Sequence, residues 1–305
     1  MKVFYHDNYN IDIGLLKFLH PFDGMKFGKV VAQIRQEKLV DIVEPAQCIP
    51  EAAVNTFFSS LTRRLVLHKR PVLEALEAPY IPLLPYSWLD KRILQPMRWG
   101  VAGTLAASQT ALSGQDAWNL AGGYHHADQH SMEGFCIYND IGISYQQLIA
   151  GRELTADDKI LIIDIDAHHG NGNARTFYDN TNVTLLDVYN ADIYPNDLVS
   201  RRRVDIAVPL ASGTGGDLYL NKLSAALEQL SSGYKLAFVV AGTDVLATDP
   251  LGGLALSIAD VAQSHKLVYQ RLKALHIPTV FLGGGGYGKD SAAAIVAGIK
   301  AVAKC

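Results

Sequence analysis

The segment KILIIDIDAHHGNG, residues 159–172, decides how the chain folds and where its chemistry lies. An apolar run at 160–163 is followed, within six residues, by two aspartates and two histidines. Such a run is typical of a buried strand, and charges that are buried without partners cost free energy. The segment therefore predicts a strand whose carboxyl end carries a polar cluster, with partners supplied by other parts of the chain.

The same pattern, a short apolar run followed by Gly, His, Asp or Asn, recurs along the chain. It is found in AWNLAGGYHHA (117–127), VTLLDVYN (183–190), LAFVVAGTD (236–244) and PTVFLGGGGYG (278–288). Stretches with helical start or stop signals lie between the runs, at 139–154, 218–233 and 257–275. We therefore predict an α/β fold: a single domain over residues 1–305, with a central, mostly parallel sheet and helices on both faces. Because ligands bind at the carboxyl ends of such strands, the polar clusters predict one composite site there.

Composition limits the classes of partner. The 305 residues are 49% hydrophobic and carry a net charge of -3, which gives no electrostatic footprint for nucleic acid. The three cysteines have no framework spacing, which favours a reducing compartment. No apolar run reaches membrane-spanning length. We therefore expect a cytoplasmic protein that binds neither nucleic acid nor membranes, with its oligomeric state open and a monomer as the default.

Asp166 and His168 form an Asp-x-His pair. Alternate residues of a strand share a face, so the pair can hold one metal ion, and Asp244 in AGTD is a third candidate ligand. Three nitrogen and oxygen ligands with an open position are typical of catalytic zinc, and ferrous iron accepts the same donors. The alternative is that Asp166 caps a helix and His168 is an ordinary core histidine.

A second pair, His125-His126, also follows an apolar run. Hydrolysis at a metal needs a base and an acid, and imidazole serves as either near neutral pH. Each ring also needs an acceptor on its other nitrogen, for which Asp164 and Asn171 are candidates. An aspartate raises the basicity of its partner more than an asparagine does, so we expect unequal pKa values. The alternative is that both histidines only stabilise a glycine turn.

The glycine-rich segment GGGGYG, 283–288, completes the candidate site. Four glycines let the backbone approach another group closely, and the hydroxyl of Tyr287 can then reach an oxyanion opposite the metal. A nucleotide-phosphate loop is the weaker interpretation, because no βαβ unit follows the segment.

Taken together, these segments resemble the zinc-dependent histone deacetylase family, which has an arginase-like α/β fold. The resemblance is strongest to its class IV branch in HPFDGMKFGKV (20–30) and GTDVLATDPLGGLALS (242–257). The matching motifs are GGYHHA (122–127), GFCIYND (134–140), DIDAHHGNG (164–172), YPND (194–197), AGTDVLATDPLGG (241–253) and GGGGYG (283–288).

The resemblance implies an amidohydrolase that removes acyl groups, acetyl or long-chain fatty acyl, from lysine ε-amines of a protein or peptide. It implies zinc on Asp166, His168 and Asp244. His126 would be the general base and acid, and His125 its electrostatic partner, while Tyr287 would polarise the carbonyl. The resemblance also implies substrate contacts at Gly134, Phe135, Tyr194 and Leu251. A structural potassium ion is implied at Asp164, Asp166, His168, Asp187 and Val188.

Three other interpretations remain. An acylpolyamine or small-amide hydrolase would share the fold, although no inserted entrance loop is evident. A binuclear ureohydrolase would need additional carboxylates that bridge a second metal, whereas the residues that follow His168 are His169, Gly170 and Asn171. A catalytically silent acyl-lysine-binding module would keep the pocket, but it usually loses at least one of these catalytic residues.

Two residues depart from the pattern of many family members. Asn171 replaces an aspartate behind His126, as in class IV, which weakens the proton relay. Lys26 stands where class I members often have an arginine that braces the glycine-rich loop. Because lysine lacks the bidentate fork of arginine, we expect looser space behind the metal.

Replacing this lysine (Lys26→Arg) should change hydrolysis of long acyl chains more than hydrolysis of acetyl, because the residue borders the space behind the metal. Steady-state kinetics with matched acetyl- and long-chain acyl-lysine peptides measure the difference. Equal effects on both peptides would contradict this prediction.

Overall fold

The computed structural model describes residues 1–12, 14 and 23–305, and eight strands in this part of the chain form one sheet. The strands are β1 (Lys2–Phe4), β2 (Asp41–Val43), β3 (Ala117–Asn119), β4 (Ile160–Asp164), β5 (Val183–Asn190), β6 (Ile206–Leu210), β7 (Leu236–Val240) and β8 (Thr279–Leu282). Their order is β2-β1-β3-β8-β7-β4-β5-β6. Every neighbouring pair is parallel. The predicted α/β fold is confirmed, with a sheet that is parallel throughout these strands rather than mostly so.

Twelve α-helices lie in the described ranges. They are α1 (Lys26–Glu37), α2 (Glu51–Phe57), α3 (Ser60–Leu65), α4 (Lys69–Ala75), α5 (Tyr86–Leu89), α6 (Gln95–Leu112), α7 (Asp140–Ala150), α8 (Asn171–Thr176), α9 (Leu198–Arg201), α10 (Gly216–Glu228), α11 (Ile258–Ala274) and α12 (Ser291–Ala303). A 3-10 turn at Asp7–Tyr9 and a π-helical turn at Asp90–Leu94 are also present. No helix among these is both long and apolar enough to cross a membrane.

Local capping explains where two of the predicted helices begin. Asn139 accepts a hydrogen bond from the Gly142 backbone N–H at 2.6 Å at the start of α7. A reciprocal capping box between Ser257 and Asp260 starts α11. Gly233, which ends the 218–233 stretch, predicts a glycine cap for that helix. This prediction is wrong, because α10 ends at Glu228 and Gly233 lies in the following turn with φ of 98°.

The apolar runs are continuous because the sheet is covered on both faces. In β4, Leu161 and Ile163 join one hydrophobic cluster, whereas Ile160 and Ile162 join another. Helices α1, α10, α11 and α12 cover the first face, and α6, α7 and α8 cover the second. Each residue of β4 is therefore buried on whichever face it lies, which explains why its sequence shows no alternation of polar and apolar residues.

The strand order brings the polar segments together. The five strands that precede them, β3, β8, β7, β4 and β5, are consecutive in the sheet. Because all are parallel, their carboxyl ends meet at one edge. The single composite site expected from the sequence thus has a structural basis in the order of the strands.

A third hydrophobic cluster lies beside this edge and is built largely from α2, α4, α5 and α6. Most of its residues belong to the N-terminal third, where the sequence pattern predicts an ordered, apolar loop at 78–88 and no helix or strand. Of the segment HPFDGMKFGKV, residues 20–22 lie outside the described residues.

The core around Phe281 offers a test of this packing. Its ring is fully buried and stacks on Trp118 of the neighbouring strand, with centroids 4.6 Å apart. Phe281→Ala should lower the free energy of unfolding by about 3–5 kcal/mol because it leaves a cavity, and Phe281→Leu should cost less. Urea denaturation measures both. If the free energy of unfolding of Phe281→Ala fell by only about 0.5 kcal/mol, as is typical of surface positions, this prediction would be contradicted.

Candidate active site

Asp166, His168 and Asp244 form a buried cluster whose ligand atoms lie within 4.8 Å of one another. The His168 Nδ1 atom is 2.8 Å from Asp244 Oδ2 and 3.2 Å from Asp166 Oδ1. Both carboxylates are fully buried, and two buried negative charges at this distance repel each other unless a cation is present. The donor set of two carboxylates and one imidazole therefore fits a divalent metal ion.

Asp166 and His168 are brought together by a turn, and not by lying on the same face of a strand as the Asp-x-His pattern predicts. Strand β4 ends at Asp164, so neither residue lies on the strand itself. Instead, the His168 backbone N–H donates to Asp166 Oδ1 at 3.0 Å, which closes a turn between them. The Ala167 N–H donates to Asp244 Oδ1 at 2.9 Å and joins the two loops.

The glycine-rich loop passes directly over these ligands. The Gly285 backbone N–H donates to Asp166 Oδ2 at 2.7 Å. A Cβ atom at residue 285 would stand only 2.8 Å from the same oxygen, closer than real Cβ contacts. Glycine at this position therefore allows the backbone to serve as a partner of the metal ligand.

Lys26 lies under the same loop, at the start of α1, and is buried. Its Nζ atom is 3.4 Å from the Gly284 carbonyl oxygen and 3.3 Å from that of Gly286. Burial lowers the pKa of Lys26 to about 8, although Asp244 and Asp166 act in the opposite direction. The lysine thus contacts the loop where the sequence placed it, as a donor to two carbonyl groups.

The two histidines of the second pair have different partners. His125 Nδ1 lies 2.7 Å from Asp164 Oδ2, and His126 Nδ1 lies 2.7 Å from Asn171 Oδ1. Burial alone would lower the pKa of His125, but the Asp164 and Asp166 charges outweigh it and raise the pKa to about 9. Burial, together with the neighbouring His125 and His168, lowers the pKa of His126 well below its usual value. These opposite shifts of the pKa favour a neutral His126 and a charged His125.

Two aspartates that the sequence interpretation did not single out hold the loops in place. Asp140 accepts hydrogen bonds from the Gly123 and Tyr124 backbone N–H groups at 3.0 and 2.8 Å, and so anchors the turn before the histidine pair. Asp249 accepts one from the Tyr287 N–H at 2.7 Å. Both lie inside quoted motifs, GFCIYND and AGTDVLATDPLGG, and this is the only signal that could have indicated them.

A cavity of about 470 Å³ opens beside the histidines. Its lining includes His125, His126, Gly134, Phe135 and Tyr287. Burial, with Asp244 and Asp166 nearby, raises the pKa of the Tyr287 phenol well above its usual value, so the group remains a hydrogen-bond donor.

Of the four predicted substrate residues, Gly134 and Phe135 line the cavity, whereas Tyr194 and Leu251 do not. Gly134 has φ of 55°, and a Cβ there would stand 2.5 Å from the His126 ring. The Tyr194 ring packs against that of His126, with centroids 5.1 Å apart. Leu251 is instead fixed by its N–H to Asp249 Oδ1 at 2.9 Å. Neither Tyr194 nor Leu251 is among the described residues that line the cavity.

The residues implied for potassium lie at the end of β4, in the turn that follows it, and within β5. Asp164 and Asp187 face each other in the register of these strands, and Val188 follows in β5. Asp187 Oδ2 is 2.6 Å from His169 Nδ1, whereas its buried Oδ1 has no hydrogen-bond partner among the residues that the structure describes. An orphaned carboxylate oxygen in this position fits a cation.

A neutral, oriented imidazole next to a cation site is suited to activating water, so fold and site together define a metal-dependent hydrolase. Residues 55–303 match the histone deacetylase domain family. Histone deacetylase 2 of Arabidopsis thaliana is 32% identical over 98% of this chain and 78% of the plant protein.

Two further relatives match shorter parts. Histone deacetylase B of Dictyostelium discoideum is 33% identical over 56% of this chain and 41% of its own length. The acetoin utilization protein AcuC of Bacillus subtilis is 30% identical over 61% of this chain and 51% of its own length. The chain belongs to the histone deacetylase family and is therefore a hydrolase that acts on amide bonds.

Removing one carboxylate of the cluster tests whether it holds a metal. Asp244→Asn should weaken zinc binding by more than ~100-fold, beyond the usual cost of losing an outer partner, because a charged ligand is lost. Mass spectrometric metal analysis after gel filtration measures the zinc content. The matched control is Asp249→Asn, which alters a buried carboxylate outside the cluster and should keep the metal. Full zinc content in both variants would contradict the assignment.

Proposed function

We propose that the protein is a zinc-dependent lysine deacylase, which hydrolyses the amide between an acyl group and the ε-amine of a lysine in a protein or peptide. The observation that carries this proposal is that His126 and Tyr287 line one cavity, while His168 of the Asp166, His168 and Asp244 cluster lies next to the His126 ring, with centroids 5.9 Å apart. A substrate bound in this cavity would then meet the groups that amide hydrolysis needs.

Asp166, His168 and Asp244 would hold the metal. Zinc, when bound, supplies a Lewis acid that polarises the carbonyl and makes water more acidic. Ferrous iron accepts the same ligands, and we favour zinc because of the resemblance to the zinc-dependent family. The unpartnered Asp187 oxygen supports a structural potassium ion near Asp164.

His126 would carry the proton between the two halves of the reaction. Its Nδ1 is hydrogen-bonded to Asn171, so Nε2 would accept a proton from the attacking water and return it to the departing lysine amine. The Tyr287 O–H would donate to the carbonyl oxygen as negative charge develops there. His125, held positive by Asp164, would stabilise that charge from behind.

The size and lining of the cavity favour a long acyl chain. Beyond the histidines its wall is apolar, with contributions from the third hydrophobic cluster and from the 78–88 segment; it includes Leu73, Leu76, Ile81, Leu84, Trp88, Leu89, Ile93 and Met97. An acyl chain entering this space would gain about 0.8 kcal/mol for each CH₂ group buried. An acetyl group could use almost none of that gain.

The proposal includes the class IV branch and a single catalytic domain over residues 1–305. Asn171 and Lys26 support the branch, since both depart from the class I pattern. The sheet supports the single domain, because the N-terminal strands β1 and β2 pair into the same sheet as the strands that carry the site.

A substrate panel tests this function. Zinc-loaded protein is incubated with matched acetyl-, octanoyl- and myristoyl-lysine peptides and with acetylspermidine, and the released acids are quantified. We expect the greatest release from the long-chain peptides. Release from acetylspermidine alone would assign the protein to the small-amide hydrolases, and peptide binding without release of acid would indicate a silent binding module.

Two variants test the assigned roles. His126→Ala removes the proton carrier and should lower kcat by roughly 100- to 10,000-fold, and Tyr287→Phe removes one donor to the oxyanion and should cost about 100- to 1,000-fold. Both should retain zinc, which metal analysis on the same samples checks. Turnover near that of the wild type in either variant would contradict its role.

A further inference from the structure

Glu133 is connected to His126 through Asn171, and the family resemblance assigns no role to it. Asn171 is fully buried and bridges two groups: its Oδ1 is 2.7 Å from His126 Nδ1, and its Nδ2 donates to Glu133 Oε1 at 2.8 Å. Glu133 stands immediately before the GFCIYND motif. A carboxylate is therefore connected to the candidate base through one amide side chain.

This connection determines which way the amide faces. A carboxylate can only accept hydrogen bonds, so the NH₂ group of Asn171 must point to Glu133. Its oxygen then points to His126, and an oxygen also only accepts. The proton of neutral His126 must consequently lie on Nδ1, which leaves the lone pair on Nε2.

Glu133 is itself held in place. Its backbone exchanges two hydrogen bonds with Cys136, at 3.1 and 2.9 Å, in the turn that carries Gly134 and Phe135. The Arg175 guanidinium donates to the same Oε1 atom that accepts from Asn171. Arg175 is fixed in turn by a 2.9 Å hydrogen bond from Nε to Asp197.

We infer that Glu133 is a positioning residue for the proposed hydrolysis: it keeps the Asn171 amide in the one orientation that leaves His126 Nε2 free to accept a proton. Glu133 is needed because the partner of His126 is Asn171, whose amide has two different ends. Asp164, the partner of His125, has two equivalent acceptor oxygens and works in either orientation, whereas a rotated Asn171 amide would select the wrong tautomer of His126.

The matching substitution is Glu133→Leu, which keeps a side chain of similar size but removes the acceptor. Glutamine would not serve, because Arg175 donates to the same oxygen and would hold a glutamine carbonyl in its place. Glu133→Leu should lower kcat by roughly 10- to 100-fold, as for other partners that orient an imidazole, with little change in KM. The control is Glu153→Leu, since Glu153 also accepts from a side-chain amide, that of Gln109 at 2.7 Å, on the exposed surface. This control should retain wild-type kinetics.

Nitrogen NMR of ¹⁵N-histidine-labelled protein reads the tautomer directly, with the His126 signals assigned from their loss in His126→Gln. In the wild type, Nδ1 should carry the proton. In Glu133→Leu, a substantial share of molecules should carry it on Nε2. An unchanged tautomer in Glu133→Leu would overturn the inference, whatever the kinetics show.

A second background separates positioning from simple structural support. In Asn171→Asp the acceptor no longer depends on orientation, so adding Glu133→Leu should leave kcat unchanged or raise it by removing a nearby like charge. Equal losses in both backgrounds would show that Glu133 only stabilises the turn. If the wild type hydrolyses none of the acyl substrates, the proposed function fails, while the tautomer comparison still decides the role of Glu133.

Discussion

Three carboxylates, those of Asp164, Asp166 and Asp244, are buried close together where the parallel strands end. Their mutual repulsion must be offset for the fold to persist. Asp164 is paired with His125 at 2.7 Å, and Asp166 receives the Gly285 N–H at 2.7 Å. Backbone donors and imidazoles thus offset part of the charge, and a divalent cation among Asp166, His168 and Asp244 would offset the rest. The chemistry that we propose follows from this arrangement, because the same charges set the basicity of the neighbouring imidazoles.

The two histidines show how a small difference in partners separates two roles. Direct contact with a carboxylate raises the pKa of His125 to about 9, so the ring carries charge. His126 meets the amide of Asn171 instead, and burial with two neighbouring imidazoles lowers its pKa. In the proposed hydrolysis, His125 would thus stabilise negative charge and His126 would exchange protons. An amide partner has two different ends, however, and its orientation requires a further group, for which Glu133 is placed.

The parts of the fold that could be predicted are those with a local signal. Five apolar runs matched strands β3, β4, β5, β7 and β8, and the caps at Asn139 and Ser257 matched helix starts. Strands β1, β2 and β6 have weak patterns or partial exposure and were not predicted. In the candidate site, residue types and motif order indicated the members of the cluster. The turn that joins Asp166 to His168 is local, but the pattern is equally compatible with a strand. The roles of Asp140 and Glu133 depend on contacts with distant segments, which spacing along the chain does not encode.

The most direct test of the central claim, that the buried carboxylates hold a catalytic metal, is hydrolysis measured before and after metal removal. The protein is stripped with a chelator, its fold is checked by circular dichroism, and zinc is returned in steps while acid release from a myristoyl-lysine peptide is followed. The account predicts that activity disappears with the metal and returns fully at one zinc ion per chain. Undiminished hydrolysis by folded, metal-free protein would contradict it.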